Sequence, residues 1–309
     1  MVAVIAGGVG AAKLMLGLGA LAGQDQLVAV VNTGDDEVIH GLHISPDLDT
    51  VTYTLAGLNN VETGWGVVAE SWRVMEELEI LGGDTWFRLG DRDLATHLLR
   101  SGALRSGETL SSISARIATA RKVTARLLPM TDDRVSTRLV AEIGSSQQSL
   151  SFQEYFVKHQ HGVKVIEVAY DGAQEAQAAP GVLDAITQAD RIVLCPSNPI
   201  LSLGPIFAIK QIGDAVKAQR DRAVAVSPIV GGKAIKGPAA SLMEQLGHEV
   251  SAVGIARLLA PYAATLVIDQ IDADLSAAVE AAGMRCIVAD TMMVDAASSQ
   301  ALAQVVLNA

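Results

Sequence analysis

Short apolar runs recur along the chain and alternate with stretches whose apolar positions have helical spacing. Residues 2–6 form the first run, and five consecutive small or apolar residues predict a strand buried on both faces. The same character predicts strands at 27–31, 127–130, 135–143, 163–169, 191–195, 223–226, 265–269 and 285–290. Helical spacing predicts helices at 11–22, 181–188, 274–282 and 296–307. This alternation indicates a mostly parallel sheet with helices on both faces.

The stretch between residues 51 and 125 departs from that alternation. Helical periodicity dominates it, with predicted helices at 67–80, 93–104 and 109–121. A weaker helix is predicted at 152–159, and no linker or repeat marks a domain boundary. We therefore expect an α/β fold: a single Rossmann-like, doubly wound domain over residues 1–309, with a helical insertion at 51–125.

A glycine-rich turn joins the first strand to the first helix. Gly8 and Gly10 let the backbone approach a ligand without Cβ atoms in the way, and the helix N-terminus offers free N–H groups to an anion. Lys13 stands where the dinucleotide fingerprint has its third glycine, which weakens the case for an NAD-dependent oxidoreductase. A lysine in a first helical turn opposes the helix dipole, which favours a phosphate nearby. An ordinary tight turn is the alternative.

Two adjacent acids, Asp35 and Asp36, follow the second strand. Acids at this position hold a ribose hydroxyl in dinucleotide-binding folds, and paired carboxylates also bind Mg²⁺. A solvated acidic turn is the third interpretation, because Asp and Gly are common in turns.

A Ser-Pro pair at 45–46 predicts the start of a helix that runs through residue 55, with the serine as its N-cap. Asp47 and Asp49 then fall in the first turns, where the helix dipole stabilises carboxylates. Helix initiation explains one of these acids. Two acids close to His40 and His43 indicate a site, although the two histidines lack the spacing of a zinc pair.

Aromatic residues make up only 4% of the chain, which draws attention to Trp86, two positions before Arg88. An aromatic ring beside a guanidinium suits a flat heterocycle or an anion. The alternative is a loop whose aromatics fill the helical insertion. Asp93 is expected to cap the following helix and to do little else. Farther along, Arg134 and Arg138 are expected to be solvated.

Polar residues also follow two later strands. Ser197 and Asn198 come directly after the strand at 191–195, and Gly231 and Lys233 lie in the loop after the strand at 223–226. Ligands of open α/β sheets bind outside the carboxyl ends of the strands. Glycines and lysines there suggest phosphate contact, although Gly and Pro also mark ordinary turns.

Composition narrows the class of protein. The 309 residues are 50% hydrophobic and carry a net charge of -11, which argues against a nucleic-acid surface but not against a bound nucleotide. Cys195 and Cys286 lie far apart in apolar runs, which favours buried free thiols in a reducing compartment. The apolar N-terminus lacks the basic region of a signal peptide, and no run is long enough to span a membrane. We expect a cytoplasmic protein.

Five strings of the sequence resemble those of a known family: GGVGAAK at 7–13, NTGDD at 32–36, HGLHISPDLDT at 40–50, WFRLGDRD at 86–93 and SPIVGGK at 227–233. They are similar to strings of the 2-phospho-L-lactate transferase family of coenzyme F-420 biosynthesis. The likeness runs from residue 1 to about 243. The SPDLD and WFRLGDRD strings are the most specific.

The resemblance implies a Mg²⁺-dependent transferase, usually a homodimer. It would move a phospholactyl, or in some members a phosphoenolpyruvyl, group from a guanosine diphosphate donor to 7,8-didemethyl-8-hydroxy-5-deazariboflavin, with release of GMP. The family's deazaflavin-binding Asp and basic residue fall here on Asp49 and Arg88. The insertion at 51–125 would then line the acceptor site.

We assign roles on this basis. Donor binding is expected from Gly8, Gly10, Lys13, Ser197, Asn198, Gly231 and Lys233. Acceptor binding is expected from Asp47, Asp49, Trp86 and Arg88, with Asp49 orienting the attacking hydroxyl as its general base. Asp35 or Asp36 would hold Mg²⁺. The alternative is a non-catalytic nucleotide-sugar or dinucleotide-binding regulator of the same fold. Such a binder has no evident need for the Trp86 loop or the paired acids.

Overall fold

The structure is a computed structural model that describes residues 1–60 and 65–309. Its strands are β1 Val2–Ala6, β2 Leu27–Val31, β3 Glu37–Ile39, β4 Leu42–Ile44, β5 Arg126–Pro129, β6 Ser136–Ile143, β7 Ser146–Ser151, β8 Lys164–Asp171, β9 Arg191–Leu194, β10 Ala223–Val226, β11 Ile229–Val230, β12 Lys233–Ala234, β13 Thr265–Asp269 and β14 Arg285–Ala289. Its helices are α1 Gly8–Ala22, α2 Pro46–Leu55, α3 Arg73–Ile80, α4 Asp91–Arg105, α5 Leu110–Ala120, α6 Val182–Gln188, α7 Leu203–Ala208, α8 Lys210–Ala218, α9 Ala239–Gln245, α10 Ala252–Leu259, α11 Ser276–Ala281 and α12 Ala296–Asn308.

Seven of these strands form the predicted parallel sheet, in the order β14-β13-β10-β9-β1-β2-β5. Each neighbouring pair is parallel. The chain moves outward from β1 in one direction through β2 and β5, and then in the other direction from β9 onward. The order therefore reverses between β1 and β9, and the crevice at such a point is where open α/β sheets bind ligands.

Helices cover both faces of the sheet, so every residue of β1 is buried. Alternate residues enter opposite cores, with Ile5 on one face and Val4 on the other. α12 packs closely along α1. A Cβ on Gly17 would lie 2.1 Å from the carbonyl oxygen of Ser299, so only glycine permits this approach. The doubly wound prediction is confirmed, with all seven strands of this sheet parallel.

The helical segment after β4 holds α2 to α5, although its first part differs from the prediction. The helix expected at 67–80 begins only at Arg73. Val67 instead forms an antiparallel bridge with Asn59, which ties down the chain before the helix. The short hairpin of β3 and β4 was not predicted. Residues 61–64 of the predicted insertion lie outside the described residues.

A second, antiparallel sheet of three strands stands in the order β7-β6-β8. The expectation that the segment at 163–169 resumes the parallel sheet is therefore wrong, because this segment pairs antiparallel with β6. Buried and exposed residues alternate along β6, as in a sheet with one covered face. Gly144, at a φ of +61°, turns the chain into β7. The weak helix expected at 152–159 is one π-helical turn at Glu154–Lys158.

Both cysteines are free thiols, with Cys195 buried as expected and Cys286 only half-buried. Across residues 1–60 and 65–309, the search for a helix with the length and apolarity of a membrane span found none.

Candidate active site

The glycine-rich turn places the N-terminus of α1 at the sheet's switch point. Gly8 has a φ of +74°, a conformation that suits glycine. A Cβ on Gly10 would lie 2.5 Å from the carbonyl oxygen of Pro196, so α1 touches the loop after β9. The backbone N–H of Gly8 is bonded to the Asp47 carboxylate. A side chain of this protein thus already occupies part of the predicted anion site.

Ser197 and Asn198 lie beside this turn, as predicted, but only one of them keeps a free donor. The Ser197 hydroxyl donates to the carbonyl oxygen of Gly7 at 2.7 Å and thereby fixes the turn. The side-chain oxygen of Asn198 accepts bonds from the backbone N–H groups of Ile200 and Leu201, at 2.9 and 3.0 Å. Its buried Nδ2 has no partner among the described residues. Asn198 therefore presents an unused N–H donor at the edge of the sheet.

The lysines lie on the opposite side of the turn. Lys13 Nζ donates to the carbonyl oxygen of Met293 at 3.1 Å, in the loop after β14. Partial burial, together with the charge of Lys13, lowers the pKa of Lys236. Lys233 is exposed. The backbone N–H of Gly231 donates to the Asp272 carboxylate, so it is not free for a phosphate. An anion bound here would therefore contact the lysine side chains and not the backbone N–H of Gly231.

Three buried carboxylates meet where the end of β2 faces α1 and α2. Asp35 is 5% exposed and Asp47 7%, and the Asp36 side chain is 8% exposed. Asp47 accepts a bond from Asn32 Nδ2 at 3.0 Å. Burial raises the pKa of Asp47 to about 6. Burial, and next the charge of Asp47, raise the pKa of Asp35 well above its ordinary value.

Asp36 has partners of its own, and their roles explain part of the sequence string at 40–50. His43 Nε2 lies 2.9 Å from Asp36 Oδ2, and the Ser45 hydroxyl donates to the same oxygen at 2.6 Å. Burial nevertheless raises the pKa of Asp36, against the lowering effect of His43. Ser45 is the N-cap residue of α2, but its side chain does not cap that helix. It contacts the carboxylate cluster instead.

Buried oxygen atoms without partners indicate what this cluster can bind. Oδ1 of Asp35 and Oδ1 of Asp36 have none within the part of the chain that the structure describes. Unsatisfied buried acceptors are rare in folded proteins and call for an explanation. Carboxylate oxygens are hard ligands that suit Mg²⁺. We call Asp35, Asp36 and Asp47 the edge carboxylates.

Asp49, two residues after Asp47 on α2, lies in a different environment. Arg100 of α4 donates to both of its carboxylate oxygens, from Nη1 at 3.0 Å and from Nη2. Arg100 is 1% exposed, and it also donates to the carbonyl oxygen of His43 at 3.3 Å. Burial acts to lower the pKa of Arg100, but the charge of Asp49, its hydrogen bonds and the charge of Asp36 together raise that pKa. The carboxylate expected to be the general base is thus held in an ion pair.

Further contacts extend this ion pair into α4. His97 lies 3.2 Å from Asp93 Oδ2 and 3.7 Å from Asp49 Oδ2. The Tyr53 hydroxyl donates to Asp93 Oδ1 at 2.6 Å. The expectation that Asp93 serves only as a cap is wrong, because its carboxylate joins α2 to α4. We call Asp49, Tyr53, Asp93, His97 and Arg100 the insertion network.

Asp49, Asp93 and His97 could together offer three ligand atoms to a metal ion. Arg100 already supplies the positive charge at this point, because it donates to both oxygens of Asp49. A second cation would be repelled by the guanidinium. The guanidinium therefore makes this group, although its ligand atoms lie within 4.8 Å of one another, a poor place for a further cation.

The aromatic loop lies on the insertion, as predicted. Trp86 packs edge-on against Phe87, with ring centroids 5.7 Å apart, and Lys158 Nζ lies 5.8 Å from the Trp86 ring. The Arg88 guanidinium stacks over Trp72 at 4.6 Å and is exposed. The half-buried Trp86 joins a small apolar cluster with Ile39 and Ile44 of the β3–β4 hairpin, among others. Among the described residues, no hydrogen bond or ion pair joins Trp86 or Arg88 to Asp47 or Asp49.

A family model described as 2-phospho-L-lactate transferase CofD matches residues 2–307. This chain belongs to that family. Among CofD relatives, a phosphoenolpyruvate transferase of Streptomyces griseus is 40% identical over 312 residues, covering 99% of this chain and 97% of that protein. The 2-phospho-L-lactate transferase of Methanocaldococcus jannaschii is 37% identical over 276 residues, covering 89% and 88%.

Solved structures support the same fold at greater distance. A UPF0052-family protein from Bacillus halodurans, known from a 2.60 Å crystal structure, matches this chain with a TM-score of 0.61. The match covers 99% of this chain and 98% of the other, at 16% identity. At that identity the likeness shows a shared architecture and not a shared function.

Sequence reasoning about this CofD chain missed His43 as a partner of Asp36, and Arg100 altogether. Arg100 belongs to an ordinary amphipathic stretch, and nothing local distinguishes it from a solvated arginine. One signal was available. Charged side chains such as Asp and Arg are rarely buried unless they are paired. An Asp49 buried at a helix start would therefore need a basic partner from elsewhere in the chain.

Proposed function

We propose that this chain transfers a phosphorylated three-carbon acid from a guanosine diphosphate donor to the hydroxyl of a ribityl-deazaflavin, 7,8-didemethyl-8-hydroxy-5-deazariboflavin, and releases GMP. The proposal starts from membership of the CofD family. The observation that carries it is the pair of unpartnered carboxylate oxygens of Asp35 and Asp36 beside the N-terminus of α1. Such oxygens suit a metal ion that activates a diphosphate for transfer. A regulator that only binds nucleotides has no evident use for them.

The donor would lie across the carboxyl edge of the sheet, with its diphosphate near the start of α1. Candidate contacts are the unused Nδ2 of Asn198 and the side chains of Lys13 and Lys233. Gly8 and Gly10 would contribute by keeping the turn free of side chains. Ser197 and Gly231 would act indirectly, because the hydroxyl of one and the N–H of the other are already bonded.

Asp35 and Asp36 fit a magnesium ion, since each has a buried oxygen without a partner. A bound Mg²⁺ would neutralise charge that builds up on the diphosphate oxygens. Asp47 lies close enough to raise the pKa of Asp35 by its charge, and it is bonded to Gly8. We infer that Asp47 holds the turn and the metal site in register, near the acceptor hydroxyl.

The acceptor would bind from the side of the insertion. Trp86 and Arg88 offer an aromatic face and an exposed guanidinium to a flat heterocycle. Asp49 would orient the attacking hydroxyl and take its proton. A carboxylate has about four lone-pair sites, so its two bonds to Arg100 leave room for one more. Arg100 would fix the direction of the remaining lone pairs.

Transfer can be tested directly with the purified chain, Mg²⁺ and the deazaflavin, supplied with the lactyl or the enolpyruvyl donor in separate reactions. Mass spectrometry of the products should show one of the two phosphodiester-linked deazaflavins, together with GMP. Named relatives of both kinds have similar identity to this chain, so the experiment also decides the donor. Turnover of neither donor would contradict the proposal and leave nucleotide binding as the function.

The role of Asp49 needs its own variant. Asp49→Asn keeps the shape of the side chain but removes the base, and we expect kcat to fall about a hundredfold or more. Asp221→Asn is a control that should keep full activity, because this side chain is 96% exposed in the turn before β10, at the opposite end of that strand from the site. A normal kcat in Asp49→Asn would remove Asp49 from the mechanism.

The resemblance to the family also leads us to propose a homodimer in the cytoplasm. Light scattering on the purified chain would give a mass of about twice 32.2 kDa if the dimer forms.

A further inference from the structure

A cavity of about 190 Å³ is lined on one side by Asp35 and Asp36, and no role has been assigned to its other walls. One wall is the segment 34–37, directly after β2. The other walls come from the start of β6, from the end of β7 with Phe152, and from Asp171 at the end of β8. The cavity is therefore placed where the central sheet meets the antiparallel sheet.

Buried polar atoms on its walls lack partners. Thr137 is 2% exposed and Asp35 is 5% exposed, and each lines the cavity. The Thr137 hydroxyl lies near the Asp35 carboxylate and acts to lower its pKa, but neither Thr137 Oγ1 nor Asp35 Oδ1 has a hydrogen bond of good geometry among the described residues. Leu150 and Phe152 add an apolar surface. The walls thus resemble those of a small ligand site, which combines apolar surface with a few polar groups.

Two arginines line the cavity, and only one is paired. Arg138 donates to Asp171 from Nε at 2.7 Å and from Nη2 at 3.3 Å. Arg134 lines the same cavity and, within residues 1–60 and 65–309, has no hydrogen bond or ion pair from its side chain. Both arginines are solvent-accessible, as expected: Arg134 is exposed, and the pair that Arg138 forms with Asp171 lies at the surface.

We propose that this cavity binds the three-carbon acid of the donor and that Arg134 pairs with its carboxylate. The inference rests on the proposed function. In such a donor the carboxylate is bonded to the carbon that carries the phosphate ester oxygen, so it must lie close to the phosphorus and to the metal. The cation that binds it must therefore line the same space as Asp35 and Asp36, and Arg134 is the unpaired cation there.

Size and charge favour this occupant over the acceptor. Sites for drug-sized ligands measure about 300–1,000 Å³, and a three-ring deazaflavin with its ribityl chain belongs in that range, whereas a three-carbon acid fits 190 Å³. Asp36 and Glu37 would repel a carboxylate, but both belong to the wall at 34–37. The carboxylate would accordingly bind toward Arg134, on the segment that leads into β6.

The test compares two donors on each enzyme variant: lactyl-diphosphoguanosine and its isopropyl analogue, in which a methyl group replaces the carboxylate. A charge-assisted pair at Arg134 should make wild-type kcat/KM about 10–100-fold higher for the lactyl donor. Arg134→Gln should bring this ratio close to one by lowering only the lactyl value. Arg134→Lys should restore part of the ratio.

Arg138→Gln is the matched control, because it removes an arginine from the same cavity but leaves Arg134 in place. Its ratio should stay at the wild-type value. If Arg134→Gln keeps the wild-type ratio, or if wild type does not discriminate between the donors, the inference is overturned while the transferase function stands. If wild type transfers from neither the lactyl nor the enolpyruvyl donor, the proposed function itself fails; if it uses only the enolpyruvyl donor, the same comparison is made with that donor and its isopropenyl analogue.

Discussion

Two groups of buried carboxylates lie within one turn of each other on α2 and its surroundings, and the protein treats them differently. The edge carboxylates have two oxygens without partners and raised pKa values. In the insertion network, Arg100 and His97 face the carboxylates. Burial acts to raise the pKa of Asp93, but the hydrogen bonds and charges of its neighbours together lower it. Asp47 and Asp49 are only two residues apart, yet they belong to opposite groups.

The difference lies in how each buried charge is balanced: Asp49 and Asp93 have cationic or hydrogen-bonding partners on α4, whereas Asp35 and Asp36 each keep an oxygen without one. A buried charge that is paired and hydrogen-bonded holds elements together, and here it joins α2, α4 and the β3–β4 hairpin. A buried carboxylate left without a partner keeps a strong affinity for a cation. The insertion network therefore holds the insertion against α2, and metal binding by the edge carboxylates is the proposal that the predictions below test.

The sharpest contrast should come from stability. Arg100→Met leaves Asp49 buried without its partner, which should lower the free energy of unfolding by about 3–5 kcal/mol. Urea denaturation monitored by circular dichroism measures this. Arg138→Met, which breaks the exposed pair with Asp171, is the control and should cost less than about 1 kcal/mol. A loss equally small in Arg100→Met would show that the network does not hold the insertion.

The edge carboxylates should respond to Mg²⁺, and the response should depend on pH. At a hundredfold excess over its dissociation constant, Mg²⁺ should stabilise the protein by about 2.7 kcal/mol at pH 8. The gain should shrink near pH 5.5, because the pKa of Asp47 is about 6 and protons then compete with the metal. Thermal unfolding with and without Mg²⁺ at both pH values measures the gain. Asp36→Asn should abolish it, and an undiminished gain in that variant would place the metal elsewhere.

The smallest effect expected is a gain in stability from Asp35→Asn in the metal-free protein. Because burial raises its pKa, the folded state binds the Asp35 proton more tightly than the unfolded chain does. The stability that comes from this tighter proton binding is fully present below the pKa of Asp35 in the unfolded chain. It is lost as the pH rises through the pKa of Asp35 in the folded protein. The neutral side chain should therefore raise the unfolding free energy at pH 8 by about 1 kcal/mol. Urea denaturation without Mg²⁺ measures this gain. If the variant shows no gain at pH 8, the buried Asp35 carboxylate does not destabilise the folded protein.

Much of the fold could be predicted from local patterns. β2, β10 and β13 begin and end at the predicted residues, because an apolar run buried on both faces is visible in the sequence itself. The segment at 163–169 shows the limit. Its residues favour a strand, but whether that strand joins the parallel sheet or pairs with β6 depends on a hairpin that brings distant residues together.

The position of the candidate site could be predicted, but the hydrogen bonds within it could not. In the sequence, Gly8, Asp35, Ser197 and Asn198 each follow a strand, and these strands are neighbours in the sheet. Because the strands of a parallel sheet all end at the same edge, these residues had to lie close together. Which atoms remain free there was not predictable. Ser197 and Asn198 are neighbours, yet the Ser197 hydroxyl is bonded to the glycine-rich turn, whereas Nδ2 of Asn198 has no partner among the described residues.

By itself, the sequence determined the parallel sheet, its glycine-rich turn and the strings that the chain shares with the CofD family, because each is a property of residues close together along the chain. Only the tertiary structure decided which carboxylates are paired and which are open. Arg100 reaches Asp49 across 51 positions of sequence, and burial, which sets the pKa of each acid, depends on elements that meet only in the folded protein.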